Sequence, residues 1–427
     1  MSTTMGETVL PCPECGAEIR TDNRFTTWCA ACDWNVDPVG PKEPPGRLDR
    51  ARRVWAQRHG EKLLADMAAD GTPHAGRGVS AVLANVVAGA VHGMTVVLVA
   101  AGIWCMVGAS GAPAMMLGLL LLALAWTLRP RLVPLPRNEF LLRRAEAPAL
   151  YELLDEIAGV AHTRSVDVVA VDAKVGARVT TCGVRGQRLL RLGLPMWEIL
   201  TPQQRVALLG HELGHYSNGD TRRGLIVATA FRSLTTWRYY LQPMSKPSGL
   251  EALLNLLCVV PRLLIQGAQT LLDQLTARAG QRTEYLADSV AARAGSTEAA
   301  VGLVDHILVA DSAANTLRRE VNNPRVGRRD SQQAEEKADG LWERLTAHME
   351  SIPEHEYERQ RRVGARRGHS IDSSHPPTHL RRECLLAGPP IPALVVTDID
   401  REQRIAAELA EARRQVARQV MRDGFDD

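Results

Sequence analysis

Fifty consecutive residues, Val79 to Leu128, contain no Lys, Arg, Asp or Glu. A charge-free run of that length is rare in soluble folds and predicts a transmembrane helical hairpin. One spanning helix needs about 20 apolar residues. Val79–Val107 exceeds that, with Asn85 and His92 as its only strongly polar members. Gly108 to Pro113 breaks the run, and Ala114–Leu128 reaches the minimum only by borrowing Ala112, Pro113 and its flank. The competing reading is a hairpin buried in a soluble core. Basic residues lie before the run (Arg47 to Arg77) and after it (Arg129, Arg131, Arg137, Arg143, Arg144), with none in the connecting loop. The positive-inside rule therefore expects both flanks in the cytoplasm. Met1 to Leu10 lacks the basic and apolar regions of a secretory signal, so insertion is expected from internal segments.

A chain of 427 residues implies two or three units. Its parts read as a zinc ribbon (8–37), a basic linker (38–78), the hairpin (79–128), a large domain (138–390) and a charged helical tail (398–427) without an obvious core face. The net charge of +3 argues against a nucleic-acid binder built on bulk positive charge. Four of the eight cysteines form two Cys-x-x-Cys knuckles, Cys12–Cys15 and Cys29–Cys32, thirteen residues apart. Four thiolates at this spacing suit tetrahedral structural zinc, and the spacer suits a small β-hairpin between the knuckles. So small a unit would draw its folding energy from the metal. A redox dithiol pair or an iron centre is the alternative. The spacing resembles the zinc-ribbon class, whose members bind nucleic acid or protein; the sequence names no partner. Cys105, Cys182, Cys258 and Cys384 are scattered, which fits a reducing compartment rather than a disulfide framework.

The chemistry concentrates in His211-Glu212-Leu213-Gly214-His215. On a helix, positions i and i+4 share a face, so both imidazoles can reach one zinc ion. Glu212 would then sit beside the open coordination site as general base. Thr201-Pro202-Gln203-Gln204 reads as a helix N-cap with Pro in the first turn. A surface helix with incidental histidines is disfavoured, because Leu208, Leu209 and Leu213 make the run apolar and ionisable groups there are costly unless they bind something. A third ligand is needed. Glu284 and Asp288 stand four apart in Thr283-Glu-Tyr-Leu-Ala-Asp288. By itself that pair is an ordinary solvated helix face.

HELGH, then Asp220, then a long apolar insertion, then TEYLADSVAARAG, resembles the membrane zinc metallopeptidases of the HtpX and CAAX-prenyl-protease type. The resemblance covers roughly residues 140–390. It implies a His, His, Glu zinc site, with Glu284 as the third ligand and Asp220 and Asp288 behind the ligands. A further element, Ser374-His375-Pro376-Pro377 followed by Arg381, implies that His375 stabilises the transition state and that Arg381 braces the site. Val175-Gly-Ala-Arg-Val179 departs from the family's usual Asn-Ala stretch, which bears on substrate selection.

The expected fold is α+β and mainly helical. It comprises a zincin-like metallopeptidase domain with a small edge-stranded sheet, preceded by the hairpin and the ribbon. Val166–Val171 and Gln187–Leu192 alternate enough to be strands, and an edge strand beside the HELGH helix could hold an extended peptide by backbone pairing. The apolar stretches at 225–241 and 250–275 carry Arg232, Arg238, Glu251, Arg262 and Asp273, which favours amphipathic packing over spanning. Residues 318–367 read as solvated helix or partly disordered chain. These readings converge on a zinc endopeptidase of the cell membrane with two zinc ions, one catalytic and one structural. It would act on polypeptides, with ribbon and peptidase domain both cytoplasmic and membrane protein quality control as the setting that the resemblance implies. A ribbon adaptor with a non-catalytic peptidase-like module and a prenyl-peptide protease are the alternatives.

Overall fold

The computed structural model describes residues 8–38, 65, 79–108, 111–130, 132–136, 139–183, 185–217, 220–244, 248–322, 338–367 and 376–425; the side chains of residues 79, 220–225 and 277–279 are not among those described. Most of the linker at 38–78 lies outside these residues.

A two-stranded hairpin, β1 (Thr8–Pro11) and β2 (Glu18–Thr21), opens the chain. It does not lie between the two knuckles, as the spacing had implied. It wraps the first knuckle, whose turn carries Gly16 at φ 74°. Helices α1 (Val79–Val107) and α2 (Ala112–Leu128) follow. Next come β3 (Phe140–Leu142), α3 (Pro148–Val160), β4 (Val168–Asp172), β5 (Ala177–Cys182), β6 (Gln187–Gly193) and α4 (Leu194–Ile199). Helices α5 (Pro202–Ser217), α6 (Asp220–Tyr240), α7 (Gly249–Leu257) and α8 (Val259–Gly295) lead to α9 (Thr297–Leu308) and α10 (Ala310–Asn322). The chain closes with α11 (Leu341–Glu350), α12 (Glu354–Arg367), α13 (Thr378–Ala387) and α14 (Ile399–Asp423). This is a mainly helical α+β architecture.

The four-stranded sheet has the order β3-β4-β6-β5, with β4 and β6 parallel and the other pairs antiparallel. Val168, Val169, Ala170 and Val171 of β4 are all buried, because both faces of the sheet are covered. Thus β4 and β6, the strands legible in the sequence, are central. The edge strands are β3 and β5; β5, which the sequence did not mark as a strand, contains the atypical Ala177–Val179 stretch. A side chain at Gly193 would put its Cβ 1.8 Å from the Lys174 carbonyl oxygen, so only glycine lets β6 end against that turn.

The main core joins α3, α5, the last turns of α8, and α14. The tail was expected to lack a core face, and the structure corrects this. Ile405, Leu409, Ala412, Val416 and Val420 of α14 recur at helical spacing and are buried. Glu408 locks the tail in place by accepting hydrogen bonds from the Ala149 and Leu150 amides at 2.7 and 2.9 Å, where the N-terminus of α3 attracts a carboxylate. In 318–367, residues 323–337 lie outside the described residues, but the part from 338 onward differs from expectation. Both α11 and α12 are docked helices, with Leu341, Trp342 and Leu345 buried in one and Glu356, Arg359 and Val363 in the other.

A second, smaller core packs Ala88 and Val91 of α1 against Ala230, Leu234 and Trp237 of α6 and Ile265 of α8. In the 225–275 insertion, α6 and the start of α8 therefore pack on the apolar hairpin. His92 donates from Nε2 to the Ile226 carbonyl at 3.1 Å, and Trp237 donates to the Leu128 carbonyl at 3.1 Å, so both side chains are tied into the bundle, with His92 Nδ1 left buried without a hydrogen bond. Helices α1 and α2 touch through glycine: a Cβ at Gly118 would come within 2.9 Å of the Gly102 carbonyl oxygen.

Because α14 is core, Leu409→Ala should lower stability by about 2–5 kcal/mol, read as a fall in thermal midpoint of the detergent-solubilised chain. An unchanged midpoint would return the tail to the surface.

Candidate metal centre

The HELGH helix begins as its sequence implies. Thr201 and Gln204 cap each other, with the Thr201 amide donating to Gln204 Oε1 at 3.0 Å. Farther along, α5 crosses α8 at unusually short range. A Cβ at Gly214 would meet the Ala287 Cα at 2.9 Å, and one at Gly210 would meet the Ala291 Cα at 3.2 Å. One at Gly295 would sit 2.8 Å from the Ala207 amide nitrogen. Gly210 and Gly214 on α5 thus form a seam with Ala287, Ala291 and Ala294 on α8. Larger residues would hold the two backbones apart.

That seam brings three donors to one point. His211 Nε2 lies 3.3 Å from His215 Nε2 and 3.5 Å from Glu284 Oε2, and His215 Nε2 lies 3.7 Å from Glu284 Oε1. Nitrogen and oxygen ligands about 2.0–2.1 Å from a tetrahedral zinc ion stand roughly 3.3–3.4 Å apart. The spacing and the donor types fit zinc. His211 and Glu284 are buried and His215 is partly open, as an ion that must meet a substrate requires.

Behind the donors lies a buried ionic layer. Asp288, one turn beyond Glu284, accepts from His211 Nδ1 at 3.0 Å. Arg381 of α13 grips Asp288 with two hydrogen bonds, from Nε at 2.8 Å and from Nη2 at 2.6 Å, and its Nη1 lies 3.7 Å from Glu284. These residues sit where α8 has entered the main core, beside Val290 and Ala291. Burial acts to raise the Asp288 carboxyl, but the Arg381 guanidinium outweighs it and holds the group well below the usual carboxylate range. Glu212, the neighbour of His211 on α5, is buried too. Burial pushes its carboxyl up to about 7; the nearby Glu284 charge adds to the rise, while His211 and the Val179 backbone oppose it. Tyr216 donates to the Thr180 carbonyl at 3.0 Å, tying α5 to the edge strand β5.

Peptidase family M48 matches residues 158–387, over half of the chain. The chain belongs to this family. No curated protein and no solved structure matches it significantly. As an M48 metallopeptidase it is a hydrolase that acts on polypeptides, and His211, His215 and Glu284 are its metal-binding group.

Two residues implied by the resemblance escape description. His375 lies outside the described residues, as does the side chain of Asp220. Arg381 is placed, and so is Asp288. The seam residues Gly210, Gly214, Ala287 and Ala291 were not singled out in the sequence, although small residues four apart on both segments signal a close helix crossing.

A second donor cluster stands at the N-terminus of this M48 chain. The four sulfurs of Cys12, Cys15, Cys29 and Cys32 lie within 4.8 Å of one another. Cys12 Sγ is 3.7 Å from Cys32 Sγ, and Cys15 Sγ is 3.6 Å from Cys29 Sγ. Those separations are far beyond a disulfide. They match the edge of a tetrahedral site with Zn–S of about 2.3 Å, whose sulfurs stand roughly 3.8 Å apart.

Glu284→Ala should remove the ion from the histidine site while leaving the cysteine site loaded, and elemental analysis of the purified chain measures this. Gly214→Val should separate α5 from α8 and weaken zinc at the histidine site by about tenfold or more, measured by chelator competition. Unchanged affinity would mean that the seam does not set the ligand geometry.

Proposed function

We propose that this M48 chain is a membrane-anchored, cytoplasm-facing zinc endopeptidase of the HtpX type. The observation that carries the reading is the convergence of His211, His215 and Glu284 with a buried Glu212 beside them. A zinc ion held there supplies Lewis acidity, polarising a peptide carbonyl and acidifying a water. Glu212 takes the proton from the attacking water and passes it to the leaving amide nitrogen. Asp288 holds His211 in the tautomer that presents Nε2 to the ion, and Arg381 keeps Asp288 charged. The resemblance assigns the oxyanion contact to His375 and a further bracing role to Asp220.

The substrate lies along β5. Among the described residues that strand pairs with β6 alone, and α5 approaches it through Tyr216 and Thr180. An extended peptide added to the open edge would be held by backbone hydrogen bonds, largely without regard to sequence. Such tolerance suits an enzyme that removes damaged membrane proteins, and favours this setting over a prenyl-peptide substrate. The complete donor set weighs against a non-catalytic binding module.

The anchor is the apolar bundle. Helix α1 is long and apolar enough to cross a membrane; α7 and α8 together form a bent second candidate, and α2 is shorter. Val86, Val96, Met116 and Leu120 are exposed on the hairpin, as are Leu253, Leu257, Val260 and Leu264 on α7 and α8. Lipid is the solvent that such faces fit. Trp126 stacks under Arg129 at 3.8 Å, an aromatic and basic pair of the kind found at a bilayer surface. The ribbon before the hairpin touches α12 after it, so the chain between them crosses an even number of times, as it does when 79–128 crosses twice and the 225–275 insertion packs on the hairpin without crossing. The basic flanks make that side the cytoplasm.

Glu212→Gln should lower casein cleavage by about a thousandfold while zinc content stays at the wild-type level. Cleavage at the wild-type rate by that variant would remove Glu212 from the mechanism.

A further inference from the structure

The cysteine ribbon has an extensive contact surface, and α12 occupies it. Val36 and Trp28 of the ribbon bury themselves against Val363 of α12. Around this apolar centre, arginines of α12 meet oxygens of the ribbon. Arg359, itself buried and gripped by Glu356 at 2.7 and 2.8 Å, donates to the Val36 carbonyl at 2.9 Å. Arg362 donates to the Ala30 carbonyl at 2.7 Å and to Asp33 at 2.6 Å, with its guanidinium 5.1 Å from the Trp28 ring centroid. Arg366 pairs with Asp33 at 3.1 Å and Arg367 with Asp37 at 2.9 Å. A desolvated apolar and hydrogen-bonded centre with a charged rim is the anatomy of a specific interface.

The opposite face of α12 leads to the metal centre. A Cβ at Gly364 would lie 3.5 Å from His379 Nδ1 on α13. Asp305 of α9 holds both helices, pairing with Arg361 of α12 at 3.4 Å and Arg382 of α13 at 3.0 Å. The neighbour of Arg382 is Arg381, whose guanidinium grips Asp288 behind His211.

We propose that the ribbon's partner is this chain's own α12, and that the loaded ribbon is a clamp that keeps α12 and α13 seated so that Arg381 stays on Asp288. Two cysteine knuckles cannot hold Val36, Asp33 and Asp37 in this arrangement without a cross-link, and the four-thiolate metal is that cross-link. Asp33 follows directly on Cys32 and takes φ 59°, so the fold of the knuckle sets where its carboxylate points. Emptying the ribbon therefore undocks α12, loosens α13 and weakens the ion at the histidine site, to which no ribbon cysteine belongs. The catalytic consequence rests on the zinc peptidase reading; the mechanical one does not.

The test uses the full-length chain in detergent micelles, followed by hydrogen-exchange mass spectrometry. In Cys15→Ser/Cys32→Ser, peptides covering α12 and α13 should exchange about tenfold faster, with α3 and α14 unchanged. Chelator should strip zinc from the histidine site at about tenfold lower concentration. Asp37→Arg and Arg367→Asp should each give a smaller effect in the same direction. The double variant, which restores the ion pair with its charges exchanged, should bring α12 protection back toward the wild type. That rescue separates docking from simple damage to either partner. Repeating the exchange in the Glu212→Gln background decides the clamp even if no peptidase activity is found. Wild-type exchange across α12 and α13 with an emptied ribbon would overturn the proposal, as would failure of the exchanged pair to rescue.

Discussion

The close crossing of α5 and α8 is the constraint on which the functional part of this molecule depends. Both imidazoles and Glu212 ride on one helix, and Glu284 and Asp288 ride on the other. A histidine and a glutamate reach a common point only if their backbones nearly touch, and Gly210 and Gly214 against Ala287 and Ala291 allow this. The seam creates an electrostatic problem, because it buries three carboxylates beside two imidazoles. Arg381 answers part of it from α13. A buried ion pair is rarely more stabilising than packed hydrocarbon, so its value here lies in direction: it points Asp288 at Nδ1 of His211 and thereby Nε2 at the ion.

Helix α8 also joins two different environments. Its 37 residues extend about 55 Å. Its first turns expose Val260, Leu263 and Leu264 beside the apolar hairpin, whereas its last turns carry the zinc-site carboxylates into the main core. A single rod thus sets the distance between the apolar bundle and the metal centre. The apolar bundle and the metal centre are thus joined by one continuous helix.

The periphery is more integrated than the charge pattern implies. The arginines and glutamates of α12 and α14 look like solvated faces in sequence. In the fold, Glu408 caps α3, Arg359 lies buried with Glu356, and Arg361 and Arg382 share Asp305. Charged side chains here act as hydrogen-bonding connectors between helices, a use that composition does not reveal because it depends on what lies opposite.

Local chemistry was legible in the sequence by itself. The i, i+4 imidazoles, the capped start of their helix, the two cysteine knuckles, the charge-free run and the central strands β4 and β6 each depend on residues within a few positions of one another. Spacing on a helix or in a knuckle is a property of the covalent chain. Only the tertiary structure decided that Glu284 faces the imidazoles, that β5 is the edge strand tied to the HELGH helix, that the Ala-rich tail is core, and that α12 occupies the ribbon's surface. These outcomes follow from how segments far apart in the chain pack together. A carboxylate, an alanine or an arginine carries no mark of its partner until packing brings the two within a few ångströms.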